Sequence, residues 1–490
     1  MTSLFNQLSF RTVLFLSISI QALSVNADTV APGDTIARHH LQYLSDSGTI
    51  NVPLTTWPIS SEEIAGALEQ IRPDLLNPAN ASSYRFLQSI VNAKPTLKLE
   101  LHSGTYREAL SAFSSTTREE NEARASIKLQ NSRASGTFSI SVVDAPLDGK
   151  HIRLDGTQMS AHLGNWDLGA GWVDRWWGPG WQSSLILSHN ARPSPGVFIR
   201  RVTSQPFSAP ILKAIGPWKF EAFANQLESD RFIPHAKLLG ARFSFKPIPA
   251  LEIGLSRTAQ WGGEGRPQSL ATLGNLILGN DNRGDSGIDA DASNEPGNQL
   301  GGIDWRYSFS AYEQPFAFYG QLIGEDEAGG LPSREIGMIG FEVPVITEWQ
   351  HGRFFLEFSD TTMRFLRDGI ANSAYQHSIY KSGYRHYGQP IGSSSDNDSR
   401  MLTLGGHHAL TNGHSLNWRA TSATINWDGD PAGNLLGPNR IETYLANFEY
   451  QFPISDNTHF QFTGQFMGKP FGEGRHIRDS GIGSSLKFVF

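Results

Sequence analysis

The residues best suited to chemistry gather in two segments. In the first, Trp172, Asp174, Arg175, Trp176, Trp177 and Trp181 surround a Gly178-Pro179-Gly180 turn. Sugar rings present patches of C–H that pack on aromatic faces, while carboxylates and arginines satisfy hydroxyls or acidic sugars. The plain alternative places these tryptophans in an interfacial aromatic girdle, with the glycines and proline merely reversing the chain. In the second segment, Tyr375, His377, Tyr380, Tyr384, Arg385, His386 and Tyr387 again mix aromatic faces with hydrogen-bond donors. Its plain alternative is a loop packed on itself.

Other combinations carry less. Asp281, Asp285, Asp289 and Asp291 could cage calcium, which takes clustered hard oxygens, but their spacing misses the usual loop pattern and a solvated acidic loop fits better. Arg283-Gly284-Asp285 is short enough to arise by chance. His407 and His408 would point to opposite faces of a strand and lack a third ligand at suitable spacing, so no metal site is expected there. The sequence contains no G-x-S-x-G elbow, H-E-x-x-H or phosphate-binding loop. Nothing singles out a catalytic triad from the scattered serines, histidines and carboxylates, and no catalytic residue or cofactor is expected.

The elements that must position these residues follow from periodicity. From Leu97 onward the apolar period is two. Ala446, Phe448, Tyr450 and Phe452 share one face and Asn447, Glu449 and Gln451 the other. Phe460, Phe462 and Phe466 oppose Gln461, Thr463 and Gln465; Phe138, Ile140 and Val142 oppose Thr137, Ser139 and Ser141; Trp218 and Phe220 oppose Lys219 and Glu221. The final stretch sets Leu486, Phe488 and Phe490 against Ser485, Lys487 and Val489, so the chain ends on an aromatic. That ending resembles the signal read by the outer-membrane insertion machinery, an expected partner together with outer-membrane lipid.

Before Leu97 the texture differs. Ile36, Leu41 and Leu44 fall at helical spacing, Ser60 and Glu63 form a capping box ahead of Ile64, Leu68 and Ile71, and Tyr84, Leu87, Ile90 and Val91 run toward Pro95. Residues 28–95 therefore read as a small helical bundle or plug, and residues 96–490 as an outer-membrane β-barrel of about 18 antiparallel strands. Residues 1–27 read as an export signal: Arg11, an apolar run from Val13 to Ile20, then Val25 and Ala27 before the cut.

Bulk properties agree. There are 49 Gly, 29 Phe and 12 Trp but 0 Cys, which excludes disulfides and thiolate metal sites. The 40 basic against 47 acidic residues exclude a basic nucleic-acid footprint. Strands that show lipid only every second residue give such an aromatic yet, on average, hydrophilic composition. The longest polar interruptions, Gly262 to Gly297 and Arg367 to Arg400, are expected as extracellular loops, with the helices periplasmic.

The segment RWWGPGWQSSLILSHNARP from Arg175 to Pro193 resembles the Wzi-type capsule-assembly outer-membrane family. So do APGDTIARHHLQYLSDSGTINVPLTTWP near the mature start and YQHSIYKSGYRHYGQPIGSSSDNDS from Tyr375 to Ser399. The resemblance implies an 18-stranded barrel with a helical bundle at its periplasmic end, a lectin that binds and organises capsular or exopolysaccharide at the cell surface without catalysis. Ala37-Arg38-His39 departs from the pattern, which has an arginine followed by an acid. The sugar-binding residues expected are Trp172, Asp174, Arg175, Trp176, Trp177, Trp181, Tyr375, His377, Tyr384 and Arg385. The rival readings are a porin-like diffusion channel and, further off, a lipid- or glycan-modifying enzyme. The helical pattern from Asp28 to Pro95 favours the lectin, since a channel normally starts its first strand soon after the signal.

Overall fold

The two-residue period of the chain becomes a closed ring of 18 antiparallel strands in the computed structural model. The structure describes residues 29–490 apart from 94–95, 116, 131–132, 279–296, 312–313, 326, 329–330, 333, 368–369, 431–433 and 472–479. The export signal expected over residues 1–27 and the acidic run from Asp281 to Asp291 therefore lie outside the described residues.

The first six strands are β1 (Leu97–Gly104), β2 (Asn121–Gln130), β3 (Ala134–Val143), β4 in two pieces (Ile152–Arg153 and Gln158–Leu163), β5 (Trp166–Gly171) and β6 (Gly196–Arg201). They continue as β7 (Trp218–Gln226), β8 (Lys237–Ile248), β9 (Leu251–Trp261), β10 (Gly297–Ala311), β11 (Gln314–Gly324) and β12 (Glu335–Ile346). The ring is completed by β13 (Gln350–Asp360), β14 (Arg400–Leu410), β15 (Ser415–Ile425), β16 (Ile441–Ser455), β17 (Thr458–Met467) and β18 (Gly481–Val489). Neighbours in sequence are neighbours in space, and β18 closes on β1 with Phe488 opposite Leu99. Closure leaves no strand edge unpaired, the condition for a sheet in hydrocarbon.

The faces divide as the alternation requires. On β3, Phe138 and Val142 are 52% and 57% exposed on the outside while Ser139 and Ser141 are buried inside. On β17, Phe462 and Phe466 face out and Gln461, Thr463 and Gln465 face in. Trp218 departs: although outward in phase, it is covered by Phe207, whose ring lies 4.4 Å away in the β6–β7 connection. No helix among the described residues is long and apolar enough to cross a membrane.

Three helices precede the ring: α1 (Thr35–Asp46), α2 (Ser61–Glu69) and α3 (Pro78–Val91). Each starts on a side-chain cap. Asp34 accepts from the Ala37 amide, Ser60 from Glu63 and Asn77 from Asn80. The expected capping box is half formed, because the Glu63 carboxylate leaves its helix to meet Lys219 of β7 at 3.4 Å and Ser204 at 2.6 Å. α1 is buried along nearly its whole length and packs on the inner faces of β10, β11 and β14. It is a plug inside the ring, more enclosed than a cap beneath it.

The connections are asymmetric. Those joining β8 to β9, β10 to β11, β12 to β13 and β16 to β17 are short and share one end with the helical unit and the C-terminus. The segments 105–120, 172–195, 262–296 and 361–399 all leave from the other end. A fourth helix, α4 (Leu270–Leu278), lies in the third of these.

Candidate functional site

The Gly-Pro-Gly turn enters the lumen from the long-loop end, while residues 52–58 enter from the helical end. They meet as a two-stranded ladder, Trp176 opposite Trp57 and Trp177 opposite Thr56, and the Gly178 amide donates to the Thr55 carbonyl at 2.9 Å. Small residues are obligatory here. Gly178 has φ +140°, and a Cβ on Gly180 would stand 2.1 Å from the Ser183 carbonyl.

The barrel wall then fastens both strands of this ladder. Glu252 of β9 accepts from the amides of Leu54 (2.9 Å) and Thr55 (2.8 Å) and from the Thr55 hydroxyl (2.6 Å). Arg242 of β8 pairs with Asp304 of β10 at 2.6 Å and donates to Thr55 and Thr56. On the loop side, Glu221 of β7 receives Arg175 Nε at 2.7 Å and Trp177 Nε1 at 3.2 Å. Glu357 of β13 accepts from the amides of Trp181 (2.8 Å) and Ser183 (2.7 Å) and from the Tyr319 hydroxyl (3.1 Å). Glu342 of β12 receives Trp181 Nε1 together with Arg306 and Arg353, which also pair with Asp46 at the end of α1. Buried charges persist only when paired and hydrogen-bonded in this manner.

Arg38, in the stretch that departs from the family pattern, sits at the centre. It donates to the Gly180 carbonyl at 2.9 Å and to Pro179, and its guanidinium lies 3.8 Å from the Trp181 ring and 4.3 Å from Phe113. Burial lowers it to about 9, an effect that Glu342 partly offsets, so it remains charged at neutral pH.

The second sequence segment comes to rest on the first. Tyr375 donates to the Leu185 carbonyl at 2.6 Å and Tyr384 to Ile186 at 2.9 Å, and burial raises both phenols above their ordinary value. Arg385 forks onto Asp396 at 2.8 and 2.9 Å. The loop therefore packs both on its neighbour and on itself, the Tyr384 amide donating to the Tyr375 carbonyl at 2.8 Å.

Burial bears on both readings of three of these tryptophans. Trp176, Trp177 and Trp181 are 0–1% exposed inside the lumen, so they neither line a lipid interface nor offer a free face to a sugar in this conformation. Tyr375, Tyr384, Arg175 and Arg385 are likewise buried. Of the expected residues, Trp172, Asp174 and His377 keep partial exposure. Asp174 holds Arg118 at 2.6 Å, and His377 accepts from the amides of Ile379 and Tyr380.

Among the described residues, two of the hollows beside the seal bear on function. One of about 740 Å3 lies between α1, the end of α3 and the inner walls of β1–β3 and β16–β18, with Lys98, Arg124, Glu449 and Lys487 among its lining. The other, about 80 Å3, is built entirely from long-loop connections and the strand ends that carry them. Arg107, Asn190, Arg192, Tyr387 and Gln389 line it, and the Arg192 guanidinium lies 5.7 Å from the Tyr387 ring. Arg192 is itself held by Asp155 at 2.8 Å and by Asp148. Sequence reading noticed Tyr387 as part of an aromatic run but had no signal for Arg107 or Asn190, which reach the hollow from separate loops.

The family model of capsule assembly protein Wzi matches residues 99–469. The chain belongs to the Wzi family. A Klebsiella pneumoniae relative, an uncharacterized 55.8 kDa protein in the cps region, is 33% identical over 331 residues. That match spans 65% of this chain and 63% of the relative's own length. A solved structure aligns with TM-score 0.82 and 26% identity over 95% of this chain and 100% of the other. It is Wzi of Escherichia coli, described as an outer membrane protein involved in group 1 capsule assembly and a carbohydrate-binding β-barrel. This Wzi-family chain is thus an outer-membrane-type barrel sharing that fold from the helical plug to the last strand.

Proposed function

We propose that the protein is a non-catalytic lectin of the outer membrane that holds and organises capsular or exopolysaccharide on its long-loop end. The observation carrying this reading is the seal: a lumen crossed by the Trp176–Trp57 ladder is built as a support for loops and not as a solute path. Membership of the family and the carbohydrate binding described for Escherichia coli Wzi support the ligand class. Short turns are usually periplasmic and long loops extracellular, which supports an orientation with the helical unit in the periplasm and the 80 Å3 hollow at the cell surface.

In that hollow Tyr387 supplies a ring face and Asn190 and Gln389 suit hydroxyls, while Arg107 and Arg192 are matched by Glu119, Asp148 and Asp155 and suit a neutral as well as an acidic sugar. The three expected residues that stay partly exposed, Trp172, Asp174 and His377, lie outside this hollow, Asp174 lining the larger one against α1.

The test is binding of the purified barrel to an array of bacterial surface polysaccharides. Tyr387→Ala should weaken binding to the preferred polymer about fivefold, since an aromatic contact contributes on the order of 1 kcal/mol. Tyr387→Phe, which keeps the ring, should bind nearly as the parent does. A folded parent that retains no polymer overturns the lectin reading, and equal binding by parent and Tyr387→Ala removes the hollow as its site.

A further inference from the structure

Three imidazoles meet between α1 and the start of β13, away from the long loops. His39 and His40 are adjacent on α1, and His351 stands near the start of β13. A ring nitrogen from each lies within 4.8 Å of the other two. The ring centroids are separated by 5.2 Å (His39–His40), 5.2 Å (His40–His351) and 6.2 Å (His39–His351). All three are buried, at 2%, 4% and 8% exposure.

Their hydrogen bonding is incomplete in a particular way. Both ring nitrogens of His39 and Nδ1 of His351 are buried without a partner. His40 spends Nδ1 on the Ser83 hydroxyl of α3 at 2.9 Å, which leaves Nε2 as its ligand atom. Gln42, three residues beyond His39 and so on the same side of α1, also buries both ends of its amide unpartnered. Folded proteins rarely leave buried polar atoms so, unless water or an ion completes them.

We propose that His39, His40 and His351 bind a late first-row divalent cation, zinc being the simplest case. Imidazole nitrogens suit zinc, copper and nickel and not calcium or magnesium, which take oxygen. Three protein ligands with a fourth position open to water is an established zinc geometry. Zinc–nitrogen bonds of about 2.0–2.1 Å set tetrahedral ligand atoms roughly 3.4 Å apart, so the rings would close by about 1 Å through side-chain rotation. Ser83 is placed to fix the tautomer of His40 from outside the ligand shell. The neighbouring positive charge, Arg353, is already matched by Glu342 at 2.8 Å and Asp46 at 3.3 Å. Bound metal would join α1, α3 through Ser83, and the wall at β13. The site is independent of the polysaccharide reading and acts as a clamp on the plug.

The experiment uses the full, tag-free chain in detergent, stripped with a chelator and titrated with zinc by calorimetry and with cobalt by visible absorption. One zinc per chain is expected, with a raised unfolding temperature and a cobalt spectrum of tetrahedral type. Ser83→Ala should weaken zinc binding about tenfold, and His39→Asn or His351→Asn by more, expressed per folded barrel from heat-modified migration on the same preparations. His235→Ala, altering a histidine 43% exposed in its side chain, should bind as the parent does. No stoichiometric zinc binding in the micromolar range overturns the site, and so does full affinity in folded His39→Asn and His351→Asn.

Discussion

At the scale of single residues, Trp181 ties the Gly178-Pro179-Gly180 turn to the barrel wall from several directions. Its indole donates to Glu342, its amide to Glu357, and its ring lies under Arg38 and 4.4 Å from His407. Removing it deletes a fully buried side chain and takes from Glu342 one of its donors, leaving Arg306 and Arg353. Trp181→Ala should destabilise the lumen seal by about 3–5 kcal/mol, and Trp181→Phe by less. Limited proteolysis within residues 176–193 should therefore accelerate, while the barrel still migrates as heat-modifiable and the folded fraction binds polysaccharide as the parent does. Normal protease resistance with lost binding would return Trp181 to a sugar-contacting role. The sequence revealed that these tryptophans, glycines and arginines act together. It could not reveal against what, because Glu221, Glu342 and Glu357 come from strands far along the chain and look there like ordinary inward-facing acids.

At the scale of elements, legibility followed locality. The strand faces of β3, β16 and β17, the caps at Ser60 and the two longest interruptions depend on residues a few positions apart, and alternation or spacing exposes them. The loops' inward fold depends on distant partners such as Tyr375 with Leu185, which periodicity cannot record. The 361–399 loop also carries a titration that sequence gave no sign of. Burial, with help from Asp428, Asp396 and Asp360 and against a hydrogen bond from the Asn372 amide, raises Asp398 from 3.8 to about 7. A folded value above the unfolded one means that the fold favours the protonated form. That contribution is complete below about pH 4, fades as pH rises, and is gone above about 7. Asp398→Asn should remove this part of the pH dependence: more stable than the parent at pH 8, and close to it at pH 4. Parallel melting profiles of parent and variant across that range would contradict the assignment.

At the scale of the whole molecule, the question is which part closes a ring of 18 strands, wide enough for water when empty. The sequence points to the helices and the two long polar loops. The structure adds the 172–195 segment, which is fixed to the wall through Glu221, Gln321 and Glu357 without passing through the helical unit. The helical unit has its own fastenings at Asp46, Glu252 and Arg242. Two covers in series block a pore as well as one does, so losing either should leave the lumen closed. Planar-bilayer recordings of the full chain should accordingly show no stable openings of porin size. A variant lacking residues 29–93 but retaining the segment ahead of them should, once its folded migration is verified, also stay closed because the Trp177–Trp181 turn remains tied to β7, β11 and β13. Porin-sized openings in that truncated barrel alone would assign the seal to the helices, and openings in the full chain would favour the channel reading over the lectin.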